Sequence, residues 1–206
     1  MSSEIRARLA SRSAAAALSL TEPLAGKLVT YYELLQRWNR KINLTALSNL
    51  DDSIDRLLLE PVAAAAALPR PGRLTDLGSG GGSPAIPLAL ATSASLLVMV
   101  ESRSRKAAFL REAVRELELN GSVENARFEE LSARPEHRHA SDLVSIRAVR
   151  IDSPALATAA SFLASGGQIG LFESLTAQLP RLPAGLSLNA TVPLLRNSRL
   201  TVLRLG

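Results

Sequence analysis

The residues best placed to do chemistry in this 206-residue chain are a cluster of glycines and the carboxylates around them. An apolar run, Leu74-Thr-Asp-Leu77, breaks into Gly78-Ser-Gly-Gly-Gly-Ser83, and a second run, Leu96-Leu-Val-Met-Val100, ends on Glu101. Glycine has no Cβ and tolerates positive φ, so the backbone can turn sharply and lie against a ligand. Pro84 and Pro87 follow where a helix should start, and proline suits a first turn because its missing N–H had no partner there. Strand, glycine turn, helix, then an acid about twenty residues on at the end of the next strand: this order describes a ribose-binding site. A carboxylate at Glu101 can accept from both ribose hydroxyls, and such charge-assisted bonds are stronger than neutral ones.

The spacing departs from the G-x-G-x-x-G of dinucleotide sites. With Asp76 two residues ahead of Gly78, it resembles the first motif of adenosylmethionine-dependent methyltransferases of the Rossmann-like class. That resemblance implies adenosylmethionine as methyl donor, with the backbone at Gly78, Gly80 and Gly82 against its ribose and methionine portion.

Holding such a loop requires alternating strands and helices, and the rest of the chain reads that way. Residues 1 to about 70 read as helical. Leu28, Tyr31, Tyr32, Leu35 and Trp38 recur at three- and four-residue steps, and a second helix is expected from about Asp51 to Leu68, capped by Asp51 or Asp52. Pro69-Arg-Pro-Gly72 breaks the chain, dividing a helical extension (1–70) from an adenosylmethionine-binding domain (71–206). Strands are expected at 74–77, 96–100, 123–128, 143–147 and 168–172. Helices are expected at 85–92, 103–119 and 154–164, the last stopped by Gly166-Gly167. Residues 186–193 and 199–205 read as a hairpin turning at Asn197-Ser198. The fold class is therefore α/β, a three-layer sandwich with a mostly parallel sheet and a C-terminal antiparallel strand.

Composition narrows the partners. The chain is 47% hydrophobic but has no apolar run near the ~20 residues that cross a bilayer, so no membrane partner is expected. Arg6, Arg8 and Arg12 ahead of Ala14 to Ala17 mimic a signal peptide. The alanine stretch is short and Thr21-Glu-Pro follows, so export is not expected. Without cysteine there are no disulfides, thiolate metal sites or cysteine nucleophiles, which fits a cytoplasmic protein. His137 and His139 lie in a polar loop without further ligands nearby and read as solvated, so no metal is expected. A net charge of +5 favours a nucleic-acid partner. Arg37, Arg40 and Lys41 form a patch suited to RNA backbone, or simply a solvated helix face. Nothing in the sequence demands more than a monomer.

Several further segments resemble the bacterial 16S ribosomal RNA guanine-N7 methyltransferases, also called glucose-inhibited division protein B. The family's W-N-x-x-x-N-L-T signature stands as Trp38-Asn-Arg-Lys-Ile-Asn-Leu-Thr45. Its G-[ST]-G-G-G-x-P-x-I-P-L loop is Gly78 to Leu88, and its E-x-x-x-[KR]-[KR]-x-x-F-L-[RK] segment is Glu101 to Arg111. Its R-A-E-x-x and S-R-A segments stand as Arg127-Phe-Glu-Glu-Leu131 and Ile146-Arg-Ala148. The resemblance covers about residues 31 to 150 and implies methyl transfer to guanine N7 in 16S ribosomal RNA, free or within the small subunit. It implies that Gly78 and Ser83 line the adenosylmethionine site, that Glu101 holds the ribose, and that Phe128 with Glu129 flanks the adenine. It also places Arg147, the candidate catalytic residue, between cofactor and substrate. Phe128 reads equally as a core aromatic. Trp38 reads as an anchor for the N-terminal helices, and Asn43 as the residue that turns the chain before Leu44-Thr45.

The chain departs from the family at positions expected to face substrate. Where R-H-L-L-D-S is usual, it has Arg56-Leu-Leu-Leu-Glu-Pro61, so Leu57, Glu60 and Pro61 replace histidine, aspartate and serine. Glu173-Ser174 stands for a lysine–glycine pair, Ile146 for a serine and Ser83 for a leucine. These changes keep open a same-fold methyltransferase with another substrate, or a non-catalytic protein that binds adenosylmethionine and RNA.

Overall fold

A computed structural model describes residues 2–206. Seven strands form one sheet: β1 (Arg73–Leu77), β2 (Leu96–Val100), β3 (Gly121–Glu124), β4 (Ser141–Arg147), β5 (Leu163–Ser174), β6 (Leu186–Pro193) and β7 (Ser198–Leu205). Their spatial order is β3-β2-β1-β4-β5-β7-β6. All neighbours are parallel except at β7, which runs antiparallel to both β5 and β6. Because strand side chains alternate between faces, the sheet builds two cores. Leu74, Leu97, Met99 and Leu143 pack on one face, and Leu77, Val100, Val144 and Ile146 on the other. The first face is covered by α5 (Ala85–Thr92) and α6 (Ser104–Glu116), the second by α7 (Phe128–Leu131) and α8 (Ser153–Ser161).

The N-terminal helices α1 (Ser2–Ala15) and α2 (Glu22–Asn39) join the first core, where Ile5, Leu9, Leu28, Tyr31 and Leu35 are buried with Phe109 and Leu110 of α6. Thr21 caps α2 through its hydroxyl, with a proline in the first turn. Trp38 meets Phe109 edge to face at 6.0 Å, so it anchors α2 as expected. The arginines that mimic a signal peptide pair instead with acids: Arg6 with Glu22, Arg8 with Asp51 and Arg12 with Asp55. Among the described residues, no helix is long and apolar enough to cross a membrane.

Four expectations need correction. The helix expected over 51–68 begins at Leu50, capped by the Asn49 side chain rather than by Asp51 or Asp52. It runs as α3 (Leu50–Ile54), a widened π turn (Asp55–Leu59), α4 (Glu60–Ala64) and a tight 3₁₀ turn (Ala65–Ala67). The third strand ends at Glu124, because the Asn125 amide turns the chain by donating to the carbonyls of Glu101 and Ser102. Phe128 therefore opens a short helix instead of closing a strand. Gly166-Gly167 is a bulge inside β5, which starts at Leu163, five residues early, where the pairing with β4 slips register. Finally, His137 is buried rather than solvated, with its Nδ1 2.9 Å from Arg73, and burial followed by that positive charge lowers its pKa.

Candidate functional site

The glycine loop is folded back onto the sheet by its own backbone. The N–H groups of Gly78 and Ser79 both donate to the Val100 carbonyl at 2.9 Å, and Gly82 donates to Ser79 at 2.7 Å. Tyr31 of α2 clamps the loop from outside, donating to the Gly81 carbonyl at 2.6 Å. Gly78 has φ +77°, and a Cβ there would lie 2.5 Å from Val149, so only glycine fits. Gly82, at φ +84°, faces Ile86, Leu110 and Tyr31 in the core rather than the cavity, so it shapes the loop without lining it. Ser79 and Gly81, neither singled out from the sequence, line the cavity with Gly78, Gly80 and Ser83. Its volume is about 330 Å³.

Glu101 closes one end of this cavity. Its carboxylate accepts from the Gly80 N–H at 2.9 Å and the Arg103 N–H at 2.7 Å, one on each oxygen. A carboxylate has about four acceptor sites, so each oxygen keeps capacity for a ligand hydroxyl. Beyond Glu101 a recess of about 200 Å³ is walled by Val100, Phe128, Glu129 and Val149. Gly78 and Glu101 belong to both spaces, so the two form one trough along the carboxyl ends of β1 and β2. Open α/β sheets bind ligands at such strand ends. Phe128 packs on the second core and also lines the recess.

Arg147, at the end of β4, borders the cavity from the other side. It is 9% exposed and lies 4.6 Å over the Phe172 ring. Its partners come from the irregular helix. Pro61 has no N–H, so the Leu57 carbonyl lacks its helical donor, and the widened turn sends the Glu60 N–H to Asp55 instead of Arg56. The two freed carbonyls are taken up by the site: Ser83 Oγ donates to Leu57 at 2.8 Å and Arg147 Nη1 to Arg56 at 2.6 Å. Arg147 Nη2 pairs with Glu60 Oε2 at 2.9 Å, and Nη1 also reaches Ser83 Oγ at 3.2 Å. Glu60 is fully buried and further held by Arg56 and by Ser198 Oγ at 2.7 Å. Burial pushes the Arg147 pKa down to about 10, against the raising effect of Glu60; the guanidinium stays charged at neutral pH. Glu60 and Pro61 thus face the interior and build the Arg147 seat, whereas Leu57 lines the cavity.

Asp76 lies beneath the loop, accepting from Ser145 Oγ at 2.5 Å across the β1–β4 pair. Desolvation pushes its carboxyl up to about 6, against the Ser145 bond and the Arg147 charge. Its folded value exceeds its unfolded one, near 3.9, so the folded state binds more protons in between. The stabilisation from that proton is full below about pH 4 and is lost as pH rises through about 6. Asp76→Asn removes this dependence. Urea unfolding should show the stability difference between variant and wild type moving by about 2–3 kcal/mol in the variant's favour from pH 4 to 7. A difference that stays flat over that range contradicts the assignment.

The basic residues separate. Arg37 pairs with Glu112 at 3.1 Å and is not a free cation. Arg40 is exposed, and Lys41 lines a groove of about 460 Å³ with Arg103, Arg105 and Lys106. None of these four groove cations has a salt-bridge partner among the described residues. Arg103 and Lys106 also line the main cavity, so groove and cavity are continuous. Asn39, not Asn43, turns the chain ahead of this groove: its Oδ1 accepts from the N–H groups of Leu44 and Thr45.

The family model for rRNA small subunit methyltransferase G matches residues 25–178. The chain belongs to that family. It is 34% identical over 153 residues to the ribosomal RNA small subunit methyltransferase G of Syntrophotalea carbinolica, covering 74% of this chain and 70% of the relative. To the protein of the same name from Xanthomonas axonopodis pv. citri it is 34% identical over 181 residues, covering 86% and 83%. A solved SAM-dependent methyltransferase from Aquifex aeolicus shares the fold, with a TM-score of 0.58 at 10% identity over 75% of this chain and 93% of that one. The sheet order and the single antiparallel strand agree with that fold class.

Proposed function

We infer that this protein transfers a methyl group from adenosylmethionine to N7 of a guanine in small-subunit ribosomal RNA. The observation that carries this reading is Glu101: a shielded carboxylate, fixed by two loop N–H groups, with acceptor capacity to spare at the junction of cavity and recess. That donor-seeking group fits a ribose, and a glycine loop without a lysine suits a ligand without phosphates. When bound, adenosylmethionine supplies an electrophilic methyl on a sulfonium. Glu101 would hold the ribose, the loop at Gly78 to Gly81 and Ser83 the methionine side, and Phe128 with Glu129 the adenine.

Guanine N7 carries a lone pair and no proton, so the chain needs no general base. This fits a cavity whose titratable lining is Glu101, Arg103, Lys106 and Arg147, without histidine. The protein's contribution is then orientation of the base and exclusion of water. Arg147, rigidly seated at the cavity wall, borders both ligands. The localisation follows the substrate, which places the protein in the cytoplasm with the ribosome.

The groove of Lys41, Arg103, Arg105 and Lys106 would follow the RNA backbone into the cavity. Replacing Lys41 or Arg105 with alanine should weaken RNA binding alike for all sequences and reduce the salt slope by about one phosphate contact each. Arg37→Ala, which removes an already paired charge, should change the slope far less. Filter binding at several salt concentrations reads this; equal effects at Arg37 and Arg105 would remove the groove. The activity itself is tested with labelled adenosylmethionine offered to both ribosomal RNAs: label belongs in the small-subunit RNA and not in the large.

A further inference from the structure

We propose that Glu173 reads the acceptor base, accepting from the adjacent N1–H and 2-amino donors of a guanine seated in the cavity between β4 and β5. The inference rests on the methyltransferase reading above and adds the group that selects the base. That cavity, of about 340 Å³, lies across Ala148 from the main one, and Ala148 lines both. Its lining sets Ile146, Val149, Leu171 and Phe172, which suit the faces of a base, beside the polar groups of Arg56, Glu173, Ser174 and Gln178.

Glu173 is the carboxylate in that lining. Its side chain is only 11% exposed. Oε2 accepts from Thr201 Oγ1 at 2.8 Å and lies 3.4 Å from Arg199 Nη2, which fixes the carboxylate at its place in β5. Oε1 takes no hydrogen bond among the described residues and is not sealed off from solvent. A shielded carboxylate with one oxygen vacant is acceptor-only. Arg56 also lines this cavity but is paired with the buried Glu60, so the vacant group there is an acceptor, which suits a base edge that offers donors.

Among the four RNA bases, guanine alone presents two neighbouring N–H donors on its pairing edge. Adenine and cytosine set an amino group beside an acceptor, and uracil sets its N–H between two carbonyls. A carboxylate therefore favours guanine over all three, and the charge-assisted pair is strong. Held by that edge, the purine leaves N7 free on its far side, toward the opening at Ala148. Ala148, between the two cavities, has a left-handed backbone, φ +56°, a conformation costly for a residue with a Cβ. The base is presented singly, since a pairing edge bound by protein cannot remain in a duplex.

The test compares small-subunit RNA carrying guanosine at the methylated position with the same RNA carrying inosine there, which lacks only the 2-amino group. Wild-type protein should methylate the inosine RNA at least tenfold less efficiently in kcat/KM, because one of the two charge-assisted bonds to the carboxylate is lost while the N1–H bond remains. Glu173→Gln should lower the guanosine rate at least tenfold and bring the two substrates within about threefold, with adenosylmethionine affinity unchanged. Equal wild-type rates on the two RNAs overturn the proposal, as does an unchanged preference in the variant. The wild-type comparison decides even if the variant does not fold. No transfer to the guanosine RNA by wild-type protein would instead defeat the methyltransferase reading beneath it.

Discussion

Glu101→Ala should abolish measurable adenosylmethionine binding, weakening it a hundredfold or more, while the protein stays folded. The carboxylate lies where cavity and recess meet, and two charge-assisted bonds to a ribose are worth about 1.5–3 kcal/mol each. Its loss also releases the N–H groups of Gly80 and Arg103, so the loop loses the anchor that shapes it. Glu101→Gln separates the two effects. The amide keeps one acceptor and so holds part of the loop, but offers a single oxygen to two hydroxyls; its affinity should fall between the other two. Calorimetric titration with adenosylmethionine measures all three. Wild-type affinity in the alanine variant would move the ribose elsewhere.

The largest effect on stability belongs to Glu60→Ala, which should cost about 3–5 kcal/mol. Glu60 is fully buried, and its removal leaves Arg147 buried at the sheet face with no opposing carboxylate. Arg147→Ala should cost less, because Glu60 keeps Arg56 and Ser198. The double variant should therefore be far less destabilised than the sum of the two, the signature of groups that act as a pair. In activity the order reverses. Arg147→Ala removes the guanidinium that lines the cavity and should lower turnover even where folding is complete. Urea unfolding and single-turnover rates on the same samples separate the two orders; additive costs would mean the pair is not the unit proposed.

The sheet was legible because its signals are local. Apolar runs of five residues, the glycine turn and the Asn197-Ser198 turn placed nearly every strand, and the stripe from Leu28 to Trp38 placed α2. The errors arose where a distant contact overrides local pattern. Phe128 looks like a strand end until the Asn125 amide ties the chain to Glu101 and Ser102, and Gly166-Gly167 looks like a helix stop until β4 pairs with Leu163. The site divides in the same way. Glu101 was readable from its distance to the glycines. Glu60 and Pro61 read as losses at a substrate face, because only the fold shows that proline at 61 frees the Leu57 carbonyl for Ser83 and that Glu60 turns inward to Arg147. Their meeting spans 87 residues of sequence, and no spacing rule reaches that far. The one local signal was Pro61 itself, inside an otherwise helical run.

The activity is decided by labelled methyl transfer from adenosylmethionine to small subunits, and to their naked RNA, from cells lacking this gene, followed by nucleoside analysis. Label should appear in 7-methylguanosine. Label in any other nucleoside, or none from protein that demonstrably binds adenosylmethionine, would contradict that activity.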